Sequence, residues 1–164
     1  MAINETLLAE YDQEVATTRN LLRRVPGKDA AWKPHPKSAS LGELAVHVAT
    51  VCSWVAPTMG TAELDLSTVP HPAPFTTLEE LLAVFEKAAA EGRAALASAS
   101  DADFALPWTL KGGGRTYFTL PRAAVLRSFV LSHLIHHRAQ LGVYLRLRDV
   151  PLPPCYGPTA DSEA

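Results

Sequence analysis

Residues Ser132 to Leu147 read SHLIHHRAQLGVYLRL, and the polar groups in this run decide how the whole chain is read. Its apolar residues recur with helical spacing, yet it carries His133, His136 and His137, half of the six histidines in the 164-residue chain. At about 100° per residue, His133 and His137 stand about 40° apart and one turn from each other. They share a stripe with Leu126, Val130, Leu134, Leu141 and Tyr144 that should face the protein interior. His136 points elsewhere on the wheel and does not converge with them. The opposite side of the same helix, Ala124, Leu131, Ile135, Ala139 and Gly142, is also small and apolar. A helix covered on two sides calls for a partner helix, either from the same chain or from a second copy.

Working outward, three more segments carry helical periodicity. The first runs from Ile3 to about Val25 and ends at Pro26 and Gly27. The second starts at Ser40, where Glu43 completes a capping box, and runs to about Val55. The third starts at Thr77 with Glu80 in the same relation and continues to about Ala99. Helix four begins near Thr119 to Arg122 and stops at Arg148, before DVPLPPCYGP. Between helices three and four, WTL and RTYFTL flank Lys111 and three glycines and are expected to form a short hairpin. KGGGR lacks the spacing of a phosphate-binding loop and reads as a flexible turn. Four such helices in one domain, 1–164, are most economically buried as a four-helix bundle. The connections are long enough that length leaves the topology open.

Composition narrows the function classes. With 48% hydrophobic and 20% charged residues the chain is typical of a globular domain, and a net charge of -2 supplies no field for nucleic acid or anionic membrane. The acidic start, MAINETLLAEYDQEV, lacks the form of a signal peptide, and no apolar run approaches a membrane span. Cys52 and Cys155 form no CxxC pair. A cytoplasmic protein with free thiols is expected.

On helix two, His47 lies among Leu44, Val51, Trp54 and Val55, again on an inward stripe. Two imidazoles at i and i+4 can both reach one ion at about 2.0–2.1 Å, and a third from another helix would complete a three-ligand site with a position left for water or substrate. The alternative is three core histidines satisfied by hydrogen bonds. Little nearby would satisfy them, which favours the metal. Glu43 either orients His47 from one turn away or only closes the capping box. Gln140 is placed to orient a ligand, and Arg138 to pair with an acid on another helix or partner chain. Tyr144 and Trp54 are candidates for the wall of a pocket.

SLGELAVHVA in helix two and SHLIHHRAQLGVYLRLRDVPLPPCYGPT at the end resemble the two signature regions of the DinB/YfiT-like superfamily, with AWKPHPKSASLGEL resembling its approach to helix two. The resemblance implies an all-α four-helix bundle of up-down-down-up topology, frequently a homodimer, with a divalent ion (zinc first; nickel, iron or manganese otherwise) on His47, His133 and His137. Ala139 departs from the glycine usual after His-Arg, which bears on helix packing more than on ligation. For function the resemblance implies two outlets. One is an S-transferase using a small thiol such as bacillithiol, mycothiol or glutathione, the favoured reading; the other is a metal-dependent hydrolase. The competing class is a non-catalytic metal-binding or dimeric scaffold or sensor. No residue is marked as general base.

Overall fold

The computed structural model describes residues 2–162. Met1, Glu163 and Ala164, which the single-domain assignment includes, lie outside the described residues. The helices are α1 (Ile3–Leu22), α2 (Leu41–Thr50), α3 (Val55–Gly60), α4 (Leu78–Ala97), α5 (Asp101–Ala105), α6 (Arg122–Val125) and α7 (His133–Leu147). A 3-10 turn, Val51–Trp54, joins α2 to α3, and a π-helical stretch, Leu126–Ser132, joins α6 to α7. Three strands complete the fold: β1 (Glu63–Asp65), β2 (Pro107–Gly112) and β3 (Arg115–Pro121). None of the helices is long and apolar enough to cross a membrane.

The expected all-α, up-down-down-up four-helix bundle is therefore corrected: a three-stranded mixed sheet is part of the fold, and the expected second helix is two helices. The WTL and RTYFTL runs do pair as antiparallel β2 and β3, turning through Gly113 and Gly114 at φ 58° and 78°, backbone that glycine adopts at no steric cost. A lone hairpin is marginal in water. Here β1 adds in parallel, Leu64 opposite Leu110, and the inward residues Trp108 and Leu110 pack with Val125 against Phe118, Phe129 and Leu66. That burial makes a second apolar cluster, and it is what the bundle reading lacks.

Both capping boxes form. The Ser40 and Thr77 hydroxyls accept from the Glu43 and Glu80 amides at 3.2 Å, and the two carboxylates accept the Ser40 and Thr77 amides in return. A third box, Ser100 with Asp103, starts the short α5. The long helices build the main core: α1 packs on α4, and α2 on α4 and α7. Gly92 shows how tightly. A Cβ there would lie 2.5 Å from the Tyr11 hydroxyl and 3.1 Å from the Cys52 carbonyl oxygen. Tyr11 is buried and donates to the Ala89 carbonyl at 3.1 Å, so it has little room to retreat. Gly92→Ala, favourable by helix propensity alone, is expected to destabilise by about 1–3 kcal/mol through overpacking, read as a lower urea midpoint. A gain in stability would show that α4 can shift.

Along α7 the buried residues are Leu134, Arg138, Leu141 and Leu145. The histidines at 133 and 137 sit one position off that stripe, half-buried on the side of α2. On the reverse side, Ile135, Ala139 and Gly142 border a 230 Å³ cavity also lined by Leu152, Pro153 and Cys155 of the C-terminal tail. Cover for that stripe thus comes in part from the same chain, by an extended tail and not by a helix.

Candidate metal centre

His47 lies in the last turn of α2, His133 opens α7 as the π-helical stretch ends, and His137 follows one turn later. The structure brings these three rings together. Their nearest nitrogens all lie within 4.8 Å of one another, with His47 Nε2 and His133 Nε2 at 3.1 Å. The ring centroids are 4.4 to 4.9 Å apart. Ligands at about 2.0–2.1 Å from a tetrahedral ion are separated by about 3.3 Å, so the donor set matches with small ring adjustments.

The hydrogen bonds fix which nitrogens are free. His133 Nδ1 meets the Phe129 carbonyl at 3.2 Å, and His137 Nδ1 meets Gln140 Oε1 at 2.7 Å. A backbone carbonyl only accepts, so His133 Nδ1 carries the proton and its Nε2 keeps its lone pair; with the Gln140 amide oxygen turned toward it, His137 takes the same tautomer. This is how partners behind a ligand hold an imidazole in its coordinating tautomer. Burial pushes His47 from its ordinary 6.5 down to about 4, with the charges that His137 and His133 would carry acting the same way. His133 and His137 are also shifted down, by burial first; the Phe129 carbonyl and Gln140 pull against that. Burial thus favours the uncharged form of all three rings, the form a metal requires.

A stability consequence follows for the metal-free protein. The unfolded chain protonates these imidazoles near 6.5, whereas folded His47 takes its proton only near 4. The unfolded state therefore binds more protons throughout that interval. The contribution is complete above pH 6.5, falls as pH drops, and levels off below about 4. Urea midpoints at about pH 7.5 and 5.5 should show a larger drop for wild type than for His47→Asn, which lacks this titration. Equal drops would mean that His47 is freely solvated.

The other sequence candidates are placed as follows. The Glu43 carboxylate is engaged by the Ser40 amide at 2.6 Å and lies 3.7 Å from Lys33 Nζ; it makes no hydrogen bond to His47. Gln140 orients His137. Tyr144 packs edge-on against Trp32, with centroids 5.7 Å apart, and its hydroxyl donates to the Ala39 carbonyl at 3.4 Å. Trp54 packs against both apolar clusters. His136 is exposed beside His137, and Cys52 is buried in the core. Sequence reasoning missed the Phe129 carbonyl, whose role belongs to the backbone. It also missed a 320 Å³ cavity that opens onto His47 and is lined from the far side by His71, Pro72, Pro74 and Phe75. The cluster of prolines there read only as a loop.

Residues 10–141 match the DinB superfamily. Two solved structures share the fold: a DinB-like protein from Bacillus cereus ATCC 10987 (TM-score 0.74, 21% identity, 94% of this chain and 98% of that one) and another from Bacillus subtilis (TM-score 0.73, 18% identity, 94% and 99%). None of the curated proteins matches the chain. With the match running from within α1 through all three clustered histidines, the chain belongs to the DinB superfamily.

Proposed function

We propose that the chain is a divalent-metal-dependent enzyme that transfers a low-molecular-weight thiol onto an electrophilic small molecule, with the metal, zinc in the first instance, held by His47, His133 and His137. The observation that carries this reading is the meeting of three imidazoles, two of them held through Nδ1 by hydrogen bonds, beside a cavity large enough for a small molecule. Structural zinc sites use four protein ligands, whereas catalytic sites use three and leave a position for substrate. Among the described residues the only group of histidine, cysteine or acidic side chains close enough to hold an ion has three members. When bound, a divalent ion on neutral donors keeps its full charge and lets a thiol lose its proton near neutral pH. The chain's own part is to hold the donors, with Phe129 and Gln140 fixing two rings, and to keep one side of the site apolar. The proposed setting is the cytoplasm, where small thiols stay reduced.

Cobalt-loaded protein tests the proposal. Titration with a small thiol should raise a thiolate-to-cobalt absorption in the near ultraviolet, and His47→Ala should show none. A cobalt-loaded protein whose spectrum ignores thiols but which cleaves an activated ester would favour hydrolysis. Inertness to both would leave a binding role.

A further inference from the structure

The cavity beside His47 has an uneven wall. Its floor is α2, contributed by Gly42, Val46 and His47, and its far side is the loop bearing His71, Pro74 and Phe75. Gly42 is seated closely, since a Cβ there would come within 3.0 Å of Ala30, and its amide donates to the Ala30 carbonyl at 2.9 Å. The floor is therefore firm. Pro70, Pro72 and Pro74 remove three backbone donors from the loop and hold it extended. Phe75, half-buried, anchors it to the main core. A second cavity of 530 Å³ lies against Pro72, Pro74 and Phe75, so the loop stands between two open spaces with room to adjust.

Three polar side chains reach the cavity. His47 belongs to the metal centre, and Glu43 is committed to the helix cap and Lys33. His71 is exposed, lines the same cavity as His47 from the proline loop, and makes no side-chain hydrogen bond among the described residues. The remainder is alanine, glycine, valine, proline and phenylalanine. Such a site holds an apolar body and offers one uncommitted hydrogen-bonding group, and 320 Å³ is near the lower end of the ~300–1,000 Å³ typical of ligand pockets.

We propose that this cavity is the binding site for the electrophilic substrate, a compact, mainly apolar or aromatic molecule with one hydrogen-bonding group, and that His71 is the specificity-determining residue that receives that group. The assignment rests on the thiol-transfer reading for its place in a reaction, but the cavity can be tested by binding alone.

The zinc-loaded full chain is titrated against 4-fluorobenzyl alcohol and 4-fluorotoluene, followed by fluorine NMR. Both should broaden saturably with wild type. His71→Ala should weaken the alcohol by about threefold to tenfold, one neutral hydrogen bond, and leave fluorotoluene unchanged, while His71→Gln restores the alcohol. Phe75→Ala should weaken both. Circular dichroism confirms that each variant is folded. Unperturbed resonances with the metal-loaded wild type would overturn the proposal, as would equal weakening of both compounds by His71→Ala. Should the binding pattern hold in a chain that takes up no metal, the pocket stands and the metal-dependent reading falls. Should cobalt-loaded protein answer thiols while neither fluorinated compound binds, the reverse holds.

Discussion

Alanine at position 47 should lower divalent-metal affinity by more than about a hundredfold while leaving the fold in place. Residues that only support a ligand cost about 10–100-fold when removed, and loss of a donor exceeds that. Fold retention follows from where His47 sits: the face of α2 that carries the core is Leu41, Leu44, Ala45, Val48 and Ala49, all buried, with the imidazole at its edge. The remaining pair, His133 and His137, offers two nitrogens on one helix and no third donor among the described residues. His137→Ala should behave alike. His136→Ala is the control, since that ring is exposed and outside the cluster, and should change affinity by less than threefold. Competition against a chromophoric chelator gives the constants, and far-ultraviolet circular dichroism checks the helices. An unchanged constant for His47→Ala would remove the metal centre as proposed.

That the three histidines could be picked out together reflects the local nature of the signal. A capping box places the start of α2 at Ser40, and counting from a fixed start puts His47 on a known face. The pair on α7 needs only the helical period. What the period does not convey is the π-helical stretch at Leu126–Ser132, which alters the register just ahead of His133. A uniform wheel drawn through Leu126 and Val130 therefore placed the histidines on the central buried stripe. In the structure Leu134, Arg138, Leu141 and Leu145 occupy that stripe, and the imidazoles flank it.

The sheet was legible only in part, for a comparable reason. Alternation and the glycine turn mark β2 and β3, because a hairpin is a local structure. The strand β1 is three residues, Glu-Leu-Asp, and its partner lies beyond α4 and α5; pairing at that distance leaves no local pattern. An all-helical fold is then the reading with fewest parts, and it omits the apolar cluster around Trp108. The cavity wall at His71 and Phe75 was hidden too, since prolines report that a loop is stiff and not what it lies against.

Arg138→Leu is expected to carry the largest stability cost, about 3–5 kcal/mol. Arg138 is 3% exposed and its partner Glu14, on α1, is 4% exposed, with Nη1 and Oε2 2.6 Å apart. The same guanidinium donates to the Glu14 backbone carbonyl at 3.1 Å and to the Thr18 hydroxyl at 3.2 Å. It also donates to Tyr156 of the C-terminal tail, whose hydroxyl in turn donates to Glu14 at 2.8 Å. One arginine thus ties α7, α1 and the tail together in a closed ring of hydrogen bonds. Leucine would leave the Glu14 carboxylate buried without its cation, which costs far more than the pair contributes over an apolar replacement. At 2–4 °C per kcal/mol for a chain of this size, Tm should fall on the order of 10 °C. Glu14→Leu combined with Arg138→Leu removes both charges and should be less damaging than Arg138→Leu alone, although Thr18 and Tyr156 still lose a partner. Urea denaturation of the two single variants and the double variant gives the coupling. If the double variant falls by the sum of the singles, the two charges do not sense each other, and the buried pair is not what fastens the tail to the helices.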